Sequence, residues 1–107
     1  NEVKMGKNEV IKSLSKVIAN ISLHKLIVIH TKKPESIHFL ESEIIEYRSV
    51  ALAKAQEFNW NNYEKEKMKE LSLKILLNMR EKKYPDIEFS VKEAETIISK
   101  TIEDLIG

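Results

Sequence analysis

One pair of side chains has the spacing for helix-borne chemistry: Glu35 and His38, in the stretch "ESIH". Glu-x-x-His sets a carboxylate and an imidazole on one helical face, as di-metal carboxylate bundles require. Such a centre uses two copies of the motif and two further glutamates. This chain has a single copy, so a metal at Glu35 and His38 would need a dimer to complete it. Pro34 also puts Glu35 in a first helical turn, where a carboxylate complements the helix dipole. With Ser36 as N-cap, the two would not share a helix. Glu35 and His38 are therefore weak metal candidates, and no cofactor is expected. His24 and His30 flank an apolar run six residues apart, which on a strand turns both to one side. They could bind a metal or respond to pH, or simply end a strand.

Most other chemistry is excluded by composition. The two glycines, Gly6 and Gly107, stand alone, so there is no phosphate-cradling loop, dinucleotide fingerprint or nucleophile elbow. Without cysteine there is no disulfide framework, thiolate or zinc finger. The expectation is a protein that is not an enzyme.

Residues suited to binding are more prominent. The only tryptophan lies in "EFNWNNYEK", residues 57–65. Asn59 could take the left-handed conformation at the end of one helix. Asn61 could cap the next, with Glu64 completing a capping box. Trp60 would then fold back on the helix ends beside Phe58 and Tyr63. The same three aromatics, Phe58, Trp60 and Tyr63, would also suit an anchor for a protein partner. Aromatics among lysines and asparagines suit stacking on single-stranded nucleic acid as well.

Charge alternates along the chain. Residues 1–33 carry seven lysines against two glutamates, and 34–58 two basic residues against five glutamates. Residues 59–84 carry seven basic residues against four glutamates, and 85–107 two lysines against six acids. Helices of opposite sign packed as neighbours would relieve each other's repulsion. A nucleic-acid face would instead draw on Lys12 and Lys16, on Lys32 and Lys33, and on Arg80, Lys82 and Lys83 at the end of the third helix. The last three also complement that helix's C-terminal dipole. In a simple up-down bundle the first and third helices lie on a diagonal and share no patch. Sixteen lysines against two arginines leave little bidentate base reading, so any such binding is expected to be loose in sequence.

The elements that must position these residues follow from periodicity. Residues 8–22 place Val10, Ile11, Leu14, Val17, Ile18 and Ile21 on one helical stripe, with Asn8 as N-cap. Residues 1–7 are read as a loose segment. "HKLIVIHT", 24–31, reads as a short buried strand, with continuation of the helix as the rival. Residues 35–58 read as a long helix with a heptad-like seam through Ile37, Leu40, Ile44, Tyr47, Ala51, Lys54 and Phe58. Phe39, Ile45 and Val50 widen its apolar face. Residues 62–83 form a third helix that ends at Pro85. "YPDIEFS" fits a strand paired with 25–30. Ser90 caps a last helix over 91–106.

The fold expected is mainly α, in the order α–β–α–α–β–α with a short two-stranded sheet; a plain four-helix bundle is the alternative. One domain over 8–107 suits a length of 107 residues. The chain opens on Asn1 rather than Met, which fits either a fragment of a longer chain or trimmed ends. No apolar run is longer than the four residues of Leu26 to Ile29, too short to span a membrane. A cytoplasmic location is expected. The expected function is a small protein-interaction module, such as a regulatory, inhibitory or assembly subunit, that binds another protein or itself. The alternative is an accessory nucleic-acid-binding domain of low sequence specificity.

Overall fold

In the computed structural model, which describes residues 6–107, four helices follow one another: α1 (Lys7–His30), α2 (Ile37–Ala55), α3 (Asn62–Lys83) and α4 (Val91–Ile106). A single 3-10 turn, Pro34–Ser36, leads into α2. No strand forms among the described residues, so the four-helix alternative is the observed fold and the two-stranded sheet is not. The expectations for residues 1–5 lie outside the described residues.

Residues 24–31 do not form a strand, because α1 runs unbroken through them. Val10, Ile11, Leu14 and Ile18 keep a helical stripe, but Ile21, Ser22, Leu23, His24, Leu26 and Ile27 are all buried. A helix enclosed on all sides has no solvent face, so its 3.6-residue period vanishes from the sequence. The run then resembles a strand buried on both faces, and length alone separates the two. The start is also earlier than expected. Gly6, not Asn8, occupies the N-cap, and Lys7 is already helical.

The second expected strand, around Ile87 and Phe89, is a loop. Its apolar alternation is real: Ile87 and Phe89 turn inward onto the core, while Asp86 and Glu88 stay exposed. The segment crosses one end of the bundle with no strand to pair with, since its proposed partner is helical.

Contacts fix the directions of the helices. His24 meets Glu43, and Lys54 Nζ donates to Ser13 Oγ, so α2 runs antiparallel to α1. Lys7 pairs with Glu64, and Ser72 Oγ donates to Ser15 O, so α3 runs parallel to α1. Ser22 Oγ donates to Thr101 Oγ1 and His30 meets Glu93, so α4 is antiparallel to α1. α1 packs on the other three helices, and α4 packs on α2 and α3 as well. The section is a rhombus with α1 and α4 facing across its short diagonal. α2 and α3 occupy the far corners and do not pack on each other. The first and third helices are thus neighbours, which a simple up-down ring does not allow.

Small residues permit this. Ser15, Ala19 and Ser22 of α1 recur at intervals of four and three residues, all buried, and Ser72 of α3 is fully buried opposite Ser15. Short side chains let helix backbones approach closely, and the hydroxyls lean on neighbouring oxygens instead of water. Ser15 Oγ is the exception, buried with no hydrogen-bond partner among the described residues. Leaving a buried hydroxyl unpaired costs about 1–3 kcal/mol. Ser15→Ala should therefore raise the urea midpoint, by about 1 kcal/mol of stability, whereas Ser15→Leu should lower it by overpacking. A loss of stability in Ser15→Ala would refute the unpaired assignment.

Candidate functional site

The α2–α3 connection carries Trp60 and is built around Lys7. The chain must pass from one far corner of the rhombus to the other, and it does so across the N-terminal end of α1. Lys7 Nζ donates to Asn59 O at 2.8 Å and pairs with Glu64 Oε2 at 2.9 Å. The same ammonium lies 5.1 Å from the Trp60 ring centre and 6.0 Å from that of Phe58. Trp60 Nε1 donates back at 2.9 Å to Ala55 O, a carbonyl at the end of α2 that also accepts from Phe58 N–H at 3.4 Å. The Phe58 and Trp60 rings pack tilted at 5.5 Å. Half-buried Phe58 and Trp60 thus hold the crossover, while Tyr63 stands 75% exposed. Asn59 is not left-handed, because no non-glycine described residue has positive φ; α2 instead ends in a right-handed turn at Gln56. Asn61 and Glu64 form the full capping box, with reciprocal bonds of 2.8 and 3.0 Å. Lys7 was missed by assigning residues 1–7 to a loose segment. Its only signal in the sequence is a place just after the glycine that caps α1.

The basic residues divide into three groups. Lys12 and Lys16 are exposed on α1. Because α3 lies alongside and parallel, the stripe Glu64, Lys67, Leu71, Lys74 continues from the Lys7–Glu64 pair on the same flank. Lys32, Lys33, Lys82 and Lys83 are exposed at the shared C-terminal end of α1 and α3. Arg80 stands apart from these, with its guanidinium 5.0 Å from the Phe89 ring centre and its Nε buried.

Glu35 and His38 are exposed, and Ser36 occupies the N-cap between them. Glu35 therefore lies in the 3-10 turn, outside the helix that carries His38. His24 is buried, donates from Nδ1 to Asn20 O at 2.8 Å, meets Glu43 through Nε2, and packs edge-on to Tyr47. His30 is half-exposed beside Glu93. The two histidines fasten α1 to different helices, and no described group of three acidic or imidazole side chains is placed to hold a metal.

A surface not selected from the sequence lies on the outer side of α2. Phe39, Ile45 and Val50 are 65%, 68% and 46% exposed. Between them lie Ser42, Ser49 and Ala53, also exposed. Both serine hydroxyls donate to their own helix backbone, Ser42 to His38 O at 3.0 Å and Ser49 to Ile45 O at 3.3 Å. Their polarity is thus partly spent inward. Glu41 is exposed beside Ile45, and exposed Glu46 stands on the same helical stripe as Phe39 and Val50, between them. The opposite corner has a counterpart, a shallow groove of about 520 Å³ on α3 lined by Lys67, Glu70, Leu71, Leu73, Lys74 and Leu77.

No helix of the described residues is long and apolar enough to cross a membrane. Comparison of the chain with known protein families, curated proteins and solved structures finds no match.

Two carboxylates have altered acidity. The Arg48 guanidinium, bonded to Asp104 at 2.8 Å, holds that carboxyl below its usual range, with burial opposing. The Asn61 backbone N–H, and then Lys7, hold Glu64 low. A carboxyl with a lowered folded pKa stabilises above its unfolded value, about pH 4. That contribution disappears as pH falls through the folded value. The double variant Glu64→Gln/Asp104→Asn should melt below the wild type at pH 7, and the two curves should converge in acid. Parallel curves at all pH would show that neither ion pair contributes. Trp60→Phe, which removes the bond to Ala55 O, should cost about 1 kcal/mol in urea unfolding.

Proposed function

We propose that the protein is a small, non-enzymatic protein-interaction module whose contact surface is the outer face of α2. The observation that carries this reading is the exposure of Phe39, Ile45 and Val50 on one helix that already buries a separate seam. Leu40, Ala51 and Ala55 are the buried residues of that seam. A helix that needs only one apolar face to fold has no folding reason for a second. Phe39 and Val50 at one edge, Ile45 at the other and self-bonded serines between them make a mixed surface of the kind that non-obligate partners cover. Phe58 and Trp60 support the surface indirectly, by holding the end of α2 in place. Tyr63 remains free as a contact.

Affinity capture from the source cells should be run with wild type and with Phe39→Ser/Ile45→Ser. Both substitutions are at exposed positions and should shift stability by no more than about 0.5 kcal/mol. A protein held by wild type and lost by the variant, with unchanged melting, is the expected result. Identical captured sets would overturn this surface.

A second reading, nucleic-acid binding, draws support from one feature: the adjacency of α1 and α3 places Lys12 and Lys16 on the flank that carries Lys67 and Lys74. Trp60 fluorescence, titrated with short single- and double-stranded oligonucleotides, separates the two. Saturating change that fades steeply with salt would favour nucleic acid. A flat titration at low salt favours the protein module.

A further inference from the structure

The two outer faces at the far corners of the rhombus differ in a way that suits them to each other. The α2 face presents Phe39, Ile45 and Val50 with Glu41 and Glu46 beside them. The α3 groove presents half-exposed Leu71, Leu73 and Leu77 on either side of Lys67 and Lys74, with Glu70 the one acid in its lining and Glu66 exposed one turn before it. One is apolar and acidic, the other apolar with a basic excess. Because α2 and α3 do not pack on each other within the chain, each face is open toward a different side of the molecule.

We propose that a second copy of this chain is the occupant: α2 of one copy docks in the α3 groove of the next, head to tail. This rests on the interaction-module reading and names its partner. Charge decides between this arrangement and a two-fold α2–α2 contact. Pairing α2 with itself brings Glu41 and Glu46 of both copies to one interface, where the one exposed cation of α2, Arg48, is already bonded to Asp104. Pairing α2 with α3 sets Glu41 and Glu46 against Lys67 and Lys74. Apolar contact supplies the attraction, and the charges select the partner. The contact is heterologous, so each copy keeps one open α2 face and one open α3 groove, and association continues into a ring or an open chain. One helix face of 19 residues, about 28 Å long, is a small surface, so assembly depends on concentration.

The test is sedimentation equilibrium of the full chain over a wide concentration range, with two variants. The α2 variant is Phe39→Ser/Ile45→Ser; the α3 variant is Lys67→Glu/Lys74→Glu, at exposed positions that leave the half-buried leucines intact. Wild type should rise above 12.5 kDa with concentration, without stopping at a dimer unless a ring closes. Each variant alone should remain at the monomer mass. An equimolar mixture should form a dimer and no more, because each variant retains the face the other lacks. Adding Glu41→Lys/Glu46→Lys to the α3 variant should restore assembly, which a folding defect would not allow. A wild type that stays monomeric throughout overturns the proposal. So does a dimer abolished by the α2 variant and untouched by the α3 variant, which is the two-fold arrangement. A monomeric wild type that still captures a protein through α2 would sink head-to-tail assembly alone and leave the interaction module standing.

Discussion

Enclosure of α1 between Ile18 and Ile27 is the constraint around which the other three helices are arranged. Leu14, Ile18, Leu26 and their neighbours are withdrawn from water on every side, which requires neighbours on every side. Three helices can surround a fourth only if at least one approaches closely. The serines and alanine along α1 make room for α3, and Ser22 and Thr101 meet where α4 crosses the diagonal. The cost of this arrangement is a set of hydroxyls in the core. Ser22 and Ser72 donate across to neighbouring helices and Thr101 donates to Ile97 O of its own helix, as expected where water is excluded.

The same arrangement dictates the crossover. With α2 and α3 at far corners, six residues must carry the chain past the end of α1, and a loop in that position needs anchoring. Lys7 supplies the anchor from α1 itself, through a carbonyl, a carboxylate and two aromatic faces. The electrostatics follow from topology as well. α1 packs on acidic α2 and α4, and basic α3 packs on acidic α4, so unlike signs meet at three interfaces. The remaining two join like signs, α1 with α3 and α2 with α4. Each is bridged by a residue of its helix's minority sign, Glu64 to Lys7 in one and Arg48 to Asp104 in the other. Such exposed pairs contribute little each, yet they sit where repulsion would otherwise act.

The position of α2 links the fold to the proposed contact surface. At a corner of the rhombus a helix is covered from two directions only, by α1 and α4. Its inner seam, through Leu40 and Ala51, faces those neighbours, and Tyr47 reaches His24 of α1. Phe39 and Val50 stand at one edge of the exposed side, next to the α1 contact, and Ile45 at the other, next to the α4 contact. A chain that retains these groups in water keeps an aggregation risk that an interaction surface would explain.

Local physics made several features readable from the sequence alone. The boundaries of α3 and α4 were legible because Asn61, Glu64 and Ser90 are short-range caps whose partners lie three residues away. The seam of α2 was legible because its spacing records one buried side. The widened apolar face of α2 was visible too, but not its exposure, since a helix with two apolar sides does not say which one the core will take. The continuity of α1, the adjacency of α1 to α3 and the role of Lys7 were decided only by tertiary structure. Each depends on residues distant in sequence: burial on all sides erases helical period, and a loop's route is set by the helices it must join.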